Sequence, residues 1–172
     1  MMARFEWRTS LCAPDFPTAA YEGLRWRVTD NTPFNTLAWL RASEQALLAG
    51  ERLHVLLGWH GDELALCLPL VVSVERFGGL PFRVLHHLGY PLTDRLALLS
   101  CLDAESMRKA LVIIRRRVPH AMLQLNELCE PIGEESALTT WMAHSSTGER
   151  RLSCRVPVHL ISEADHQEVS GD

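Results

Sequence analysis

Two spacings of apolar residues alternate along this chain, and together they predict a sheet covered by helices. Residues 5–9 alternate apolar and polar side chains, the period-2 pattern of a strand with one buried face. Tyr21, Leu24 and Val28 then recur at helical spacing. Pro33 ends this pattern, because a proline disfavours helical geometry in the residue before it. The chain is therefore expected to begin with a strand and a helix.

Two apolar runs near the centre of the chain predict a hairpin that is buried on both faces. Residues 53–59 and 63–75 are joined by a His-Gly-Asp sequence at 60–62, a composition that suits a tight turn. Their near-continuous apolar character is typical of strands with helices on both sides of the sheet. Further strands are expected at residues 82–87, 96–100, 120–125 and 152–160, and further helices at 35–50, 103–118 and 134–142.

The order of these elements predicts an α/β fold with a mixed, mostly antiparallel central sheet flanked by helices. With 172 residues, 47% of them apolar, the chain can bury one core, so we expect a single domain over residues 1–162 and a loose tail at 163–172. The formal net charge of -4 gives no basic surface for counterion release, and nucleic acid is not expected as a partner.

The sequence also predicts a cytoplasmic protein without a metal site. Its five cysteines are odd in number and widely spread, without a C-x-x-C pair or a Cys/His cluster at zinc spacing. Charged residues precede any apolar run at the N-terminus, so no signal peptide is expected. The longest apolar stretch, residues 64–74, contains Pro69 and is about half of the ~20 residues that a membrane-spanning helix needs.

Three short motifs in a fixed order resemble a known family. They are TPFNTLAWL at residues 32–40, CLPL at 67–70, and VLHHLGY at 84–90 followed by Thr93-Asp94. Together, over residues 5–160, they resemble the CelD/BcsL-like acetyltransferases associated with cellulose and envelope polysaccharide biosynthesis. These belong to the GNAT superfamily of acyl-CoA N-acyltransferases.

The resemblance implies a GNAT-like fold and a division of labour between two halves. Like the Fem-type peptidoglycan aminoacyltransferases, such enzymes consist of two GNAT-like halves, and the half with these motifs comes first. The acyl-CoA site is attributed to the half that follows. We therefore expect an N-terminal, acceptor-side half that acts with a second GNAT-like half, or that self-associates as a homodimer. The alternative is a non-catalytic binding or assembly module with a GNAT-like fold.

The stretch before the helix at 103–118 lacks the loop that GNAT domains use for coenzyme A. That loop, of the type Gln/Arg-x-x-Gly-x-Gly/Ala, presents bare backbone N–H groups and the helix dipole to the pyrophosphate. Residues 100–107 contain no glycine, and Asp103 and Glu105 would repel a phosphate. Acetyl-CoA or another acyl-CoA remains the cofactor that the family implies. No cofactor-binding residue is assigned here, and the chain is expected to be inactive by itself.

His87 and Asp94 are the candidate catalytic residues, although a structural role is open for each. His86 and His87 are adjacent on a predicted strand, so they face opposite sides and cannot hold one metal ion together. We favour His87 because it lies nearer to the loop at Gly89 and Tyr90. Asp94 could act as a general base or orient a substrate amine or hydroxyl, and the alternative is a turn cap.

Tyr90, Asp94 and Asn126 are the candidate substrate-binding residues. Asn126 follows a strand end, the edge at which α/β sheets often place ligands, although a polar loop is the alternative. The arginines at 115–117 end a predicted helix, where cations complement the helix dipole. A contact with an anionic polysaccharide or a phosphate is the second interpretation of these arginines. The acceptor, the acyl group and the oligomeric state do not follow from the sequence.

Overall fold

Strands and helices alternate in a computed structural model that describes residues 3–28, 32–93, 96–125 and 128–129. In chain order the elements are β1 (Arg4–Arg8), α1 (Thr18–Arg27), a 3-10 turn (Pro33–Asn35), α2 (Leu37–Gln45), β2 (Leu53–His60), β3 (Glu63–Phe77), β4 (Leu80–His87), β5 (Leu96–Ala97), α3 (Ala104–Arg117), β6 (Met122–Gln124) and β7 (Leu128–Cys129).

The main sheet of the described residues has five strands in the order β1-β2-β3-β4-β6. The pairs β1–β2, β2–β3 and β3–β4 are antiparallel, whereas β6 lies parallel to β4 with His86 in register with Gln124. A short parallel pair, β5 and β7, forms a second sheet. The prediction of a mixed, mostly antiparallel sheet flanked by helices is confirmed.

Helices cover both faces of the central strands. Leu57 of β2 packs in a cluster with Tyr21 of α1 and Leu40 of α2, and all three are fully buried or nearly so. Leu85 of β4 packs in a second cluster with Ile114 of α3. Because neighbouring positions of a strand point to opposite faces, β2 and β3 need apolar residues at nearly every position. The prediction of strands buried on both sides is confirmed for residues 53–59 and 64–71, whereas β3 is exposed at Val74 and Glu75.

Capping side chains mark the starts of α2 and α3, whereas α2 ends earlier than predicted. Thr36 caps α2, its side chain accepting a hydrogen bond from the backbone N–H of Trp39. Asp103 caps α3 in the same way through Ser106. The prediction that the second helix runs to residue 50 is wrong, because α2 ends at Gln45.

The early end of α2 follows from local hydrogen bonds. The N–H of Leu47 bonds back to the carbonyl of Glu44, a tighter turn than an α-helix makes, and the N–H of Leu48 is taken by the Glu51 carboxylate. Leu48 therefore turns outward and is 72% exposed, although it continues the apolar stripe of the sequence.

Some predictions fall on residues that the structure does not describe. The helix at 134–142, the strand at 152–160 and the tail at 163–172 lie outside the described residues, so the domain limit at 162 stays a prediction. The strand predicted at 96–100 is shorter, with β5 limited to Leu96–Ala97 and a single bridge between Ser100 and Leu66. Among the helices described, none has the length and apolarity to cross a bilayer.

Candidate functional site

The main sheet is interrupted directly after β4. The strand follows β3 until the N–H of Leu88 donates to the carbonyl of Pro69 at 2.9 Å, and pairing resumes only where Cys67 N–H donates to Leu99. In an antiparallel strand the N–H and C=O of one residue point to the same neighbour, and proline has no N–H. Pro69 therefore accepts a hydrogen bond from Leu88 but has no N–H to donate to the strand on the same side. Residues 89–93, here called the excursion, leave the ladder at that point.

The excursion is a tight turn that packs against α2. Leu92 and Thr93 both donate their N–H groups to the carbonyl of Gly89, at 2.8 and 3.0 Å. Gly89 has a φ of 95°, a left-handed conformation that favours glycine. A Cβ placed on Gly89 would overlap Thr93 Oγ1 and lie 3.3 Å from Trp39 Nε1. The turn therefore requires glycine both for its backbone and for its contact with α2.

His86, the penultimate residue of β4, forms an ordered pair with Glu75 of β3. His86 Nε2 lies 2.8 Å from Glu75 Oε1, and since a carboxylate only accepts, Nε2 donates. The Tyr90 ring stacks on the imidazole, with centroids 4.6 Å apart and an interplanar angle of 7°. His86 is 5% exposed, whereas Tyr90 is 45% exposed. The pair therefore joins a buried imidazole to a surface carboxylate under an aromatic cover.

The second nitrogen of His86 is the chemically available group of this pair. His86 Nδ1 is buried and has no hydrogen-bond partner within the described part of the chain. A carboxylate that accepts from one ring nitrogen fixes the tautomer, which leaves the lone pair of a neutral imidazole on the other nitrogen. Nδ1 can thus accept a proton from a ligand that reaches it, as the base of an oriented pair does.

Two further polar groups near Gly89 are also buried without a partner. Thr93 is 6% exposed, and neither its Oγ1 nor Trp39 Nε1 has a hydrogen-bond partner among the described residues. Buried polar atoms are satisfied in most native structures, so an unsatisfied group calls for an explanation such as an ordered water or a ligand. Together with His86 Nδ1, these atoms place three unsatisfied buried polar groups around the excursion, within the described residues.

His87 faces the other side of the sheet and is less suited to proton transfer. His86 is in register with Val71 and His87 with Leu70, and these two residues belong to clusters on opposite faces. His87 Nδ1 donates to the carbonyl of Leu88 at 2.7 Å, and burial lowers the pKa of His87 from 6.5 to about 4. The imidazole is therefore neutral near pH 7 and a weak base. The geometry favours His86, although the sequence pointed to His87.

The pKa of His87 predicts a loss of stability in mild acid. Below pH 6.5 the unfolded chain takes up a proton at this residue, while the folded chain takes up none until about pH 4. The free energy of unfolding should therefore decrease as the pH is lowered from 6.5 to about 4. Urea unfolding at several pH values measures the slope, and His87→Gln should flatten it while the matched variant His120→Gln should not. Equal slopes in wild type and His87→Gln would contradict the assignment.

Of the other predicted site residues, Tyr90 lies at the site, and two fall in the undescribed part of the chain. Tyr90 lies on His86, as described above. Asp94 and Asn126 lie outside the described residues, so their roles stay predictions. Glu75 was missed, because its carboxylate meets His86 across two strands and 11 positions of sequence, a separation for which no motif exists. No group of three or more His, Cys, Asp or Glu residues in the described ranges could hold a metal ion.

The start of α3 is occupied by carboxylates of the chain itself. Asp103 Oδ1 accepts from the N–H of Ser106 at 2.7 Å, and this bond lowers the pKa of Asp103. Glu105 pairs with Lys109 at 2.6 Å, one turn along the helix. An anion approaching the N-terminus of α3 would meet these charges, so the residues present do not fit the pyrophosphate of coenzyme A.

Fold and site together define an α/β protein with a buried, carboxylate-paired histidine at a break in its central sheet. Comparisons with models of protein families, with curated proteins and with solved structures find no match to this chain. The chemistry of the site thus follows from the chain's own residues.

Proposed function

We propose that this chain is the acceptor-side half of a GNAT-type acyltransferase linked to envelope polysaccharide or peptidoglycan-related metabolism. The observation that carries the proposal is the His86–Glu75 pair at the break after β4. Support also comes from the motifs at residues 32–40, 67–70 and 84–90, and from the mixed sheet flanked by helices, which is the sheet that the GNAT resemblance implies.

In this proposal His86 acts as the general base for the acceptor. Glu75 holds Nε2 and orients the ring, and Nδ1 takes the proton that an acceptor amine or hydroxyl loses as it becomes the nucleophile. The carboxylate also stabilises the imidazolium that forms. Because the residues at the start of α3 do not fit coenzyme A, the acyl donor is assigned to a second GNAT-like half.

Tyr90 and the excursion control access to His86. The Tyr90 ring covers one face of the imidazole, and Nδ1 is buried. An acceptor therefore reaches Nδ1 only when part of the excursion moves, and the ordering of the turn by Gly89 sets how readily this happens. Excluding bulk water from the imidazole strengthens its bond with Glu75 between turnovers.

The test is acyl transfer by the full protein, with the second half supplied in cis or in trans. Release of free thiol from acetyl-CoA in the presence of an amine acceptor gives the rate. His86→Gln should lower kcat by about 10²–10⁴-fold, and Glu75→Gln by less, since it weakens the orientation but leaves the base. His120→Gln is the matched control. A His86→Gln enzyme with the wild-type rate would remove His86 from the reaction.

Acetyl-CoA itself is expected to bind the isolated chain weakly or not at all. The carboxylates of Asp103 and Glu105 stand where a phosphate cradle is needed. Calorimetric titration should give no dissociation constant in the low micromolar range, an affinity that corresponds to about 8 kcal/mol. Saturable binding in that range would contradict the division of labour between two halves.

A second candidate is a non-catalytic binding or assembly module with the same fold, and the exposed tip of the excursion favours it. Leu92 is 77% exposed beside the half-exposed ring of Tyr90. Apolar side chains presented together on a turn suit a protein contact. In this case Leu92→Asp would abolish association with the partner, and His86→Gln would leave the protein's biological activity unchanged.

A further inference from the structure

A groove between edge strand β1 and helix α3 lies on a part of the molecule remote from the excursion. It has a volume of about 270 Å³. Phe5 of β1 and Val112 and Ile113 of α3 contribute apolar surface, and Arg108 and Arg116 lie on either side along the helix. Val112 is 39% exposed. The groove thus has an apolar floor, and Arg108 and Arg116 lie one helical turn before and one helical turn after Val112.

The charge on this side of the molecule is opposite to the charge of the whole chain. Helix α3 carries five basic residues and one acidic residue, Glu105, whereas the chain has a net charge of -4. Lys109 is paired with Glu105, but Arg108 and Arg116 have no ion-pair partner among the residues described. Cations without partners beside apolar surface attract an acidic ligand from solution.

Two further arginines, Arg52 and Arg117, lie near His54 of β2, the strand beside β1. Burial, Arg52 and Arg117 lower the pKa of His54, in that order of importance. His54 in turn contacts Trp7 of β1 edge to face, with centroids 6.3 Å apart. Arg52 and Arg117 therefore add positive charge near the Trp7 end of β1.

Strand β1 offers a backbone for pairing beside this groove. Within the described ranges it is the outermost strand of the main sheet and pairs with β2 alone. An edge strand has N–H and C=O groups that point away from the sheet and can pair with another strand. An extended peptide is the ligand that uses both the edge and the groove, because its alternate side chains would face α3.

The charges on β1 disfavour a second copy of this chain as the occupant. Antiparallel pairing of two β1 strands about Glu6 would place Glu6 opposite its own copy and Arg4 opposite Arg8. Like charges directly opposite each other destabilise a strand pair. A segment that brings acidic residues of its own has no such conflict.

We propose that the groove between β1 and α3 docks an acidic, extended segment of a partner protein. The segment adds to the sheet beside β1, places apolar side chains on Phe5 and Val112, and places carboxylates beside Arg108 and Arg116. This inference does not depend on the acyltransferase proposal, since none of these residues belongs to the site at the excursion.

The test uses the full chain and a fluorescent peptide in which every second residue is in turn glutamate, valine and glutamate, with threonine between them, so that both kinds of side chain face α3. The peptide should bind saturably, and the double variant Arg108→Glu/Arg116→Glu should weaken binding at least ~10-fold, which corresponds to about 1.4 kcal/mol. Arg108→Gln/Arg116→Gln should weaken it less, and serves if the first variant folds poorly. Arg76→Glu, an exposed β3 residue outside the groove, is the matched control. Absence of binding, or an equal loss in Arg76→Glu, overturns the proposal.

Two further probes separate strand addition from other kinds of binding. A peptide methylated at alternate backbone nitrogens cannot donate to β1 and should bind at least ~10-fold more weakly. Equal binding of that peptide would overturn strand addition. Polyphosphate should compete poorly at equal charge, and competition as strong as that of the peptide would define a general anion site instead. Self-association that is lost on substituting Phe5 would identify a second copy as the occupant and contradict the proposal.

Discussion

Replacing Leu85 by alanine should cost about 3–5 kcal/mol of folding free energy. Leu85 is fully buried in β4, and β4 lies between β3 and β6 in the main sheet. Its side chain packs in the cluster that joins the sheet to α3. Truncating a buried leucine removes its transfer free energy and leaves a cavity that the two flanking strands can close only in part.

Leu92→Ala is the control for this substitution, because Leu92 loses the same atoms from a side chain that is 77% exposed. We expect it to change stability by no more than about 0.5 kcal/mol. Urea unfolding followed by far-UV circular dichroism gives both values. Two variants of similar stability would mean that β4 is not a central strand, and would remove the support for the site at its end.

Gly89→Ala should have the second-largest effect, a loss of about 3 kcal/mol together with disruption of the His86 environment. A non-glycine residue at a φ of 95° is strained by roughly 1–3 kcal/mol. The added Cβ would also overlap Thr93 Oγ1 and press toward Trp39 Nε1. Relieving that overlap moves the excursion away from α2.

Gly79→Ala separates the effect of backbone strain from the effect of the steric overlap. Gly79 has a φ of 85°, but a Cβ there would meet nothing within 4 Å, so this variant carries the backbone strain without the overlap. Gly89→Ala should therefore be the less stable variant. It should also change the fluorescence of Trp39 or the ring-current shifts of Tyr90, and Gly79→Ala should not. Equal effects would show that Gly89 serves the turn alone and not the contact with α2.

Local signals explain why most of the fold could be predicted. Helix α3 begins at an aspartate that caps it and ends at three arginines, and both features are written in consecutive residues. The β2–β3 turn is fixed by Gly61, which has a φ of 60°. The end of α2 could not be found in this way. Leu47 and Leu48 continue its apolar stripe, and the helix ends through the hydrogen bonds of their N–H groups, to the Glu44 carbonyl and the Glu51 carboxylate.

The sequence could identify the region of the candidate site but not the contacts between its residues. The sequence drew attention to the two histidines and Tyr90, and the structure places His86 and Tyr90 in contact. In the sequence, nearness to the loop favoured His87, whereas the pairing with Glu75, which lies on another strand, favours His86. The role of Pro69 in ending the ladder likewise depends on which neighbour its carbonyl faces, a fact of pairing and not of composition.

The central claim is that His86 offers a neutral Nδ1 to an acceptor, and nitrogen NMR of the imidazole tests it most directly. In the full chain labelled with ¹⁵N-histidine, the neutral imidazole of His86 should carry its proton on Nε2 and leave Nδ1 unprotonated. Assignment rests on the loss of these signals in His86→Gln. Adding an amine probe such as glucosamine should move the Nδ1 resonance, whereas adding acetyl-CoA should not. A proton resident on Nδ1, or a response to acetyl-CoA but not to the amine, would contradict the account.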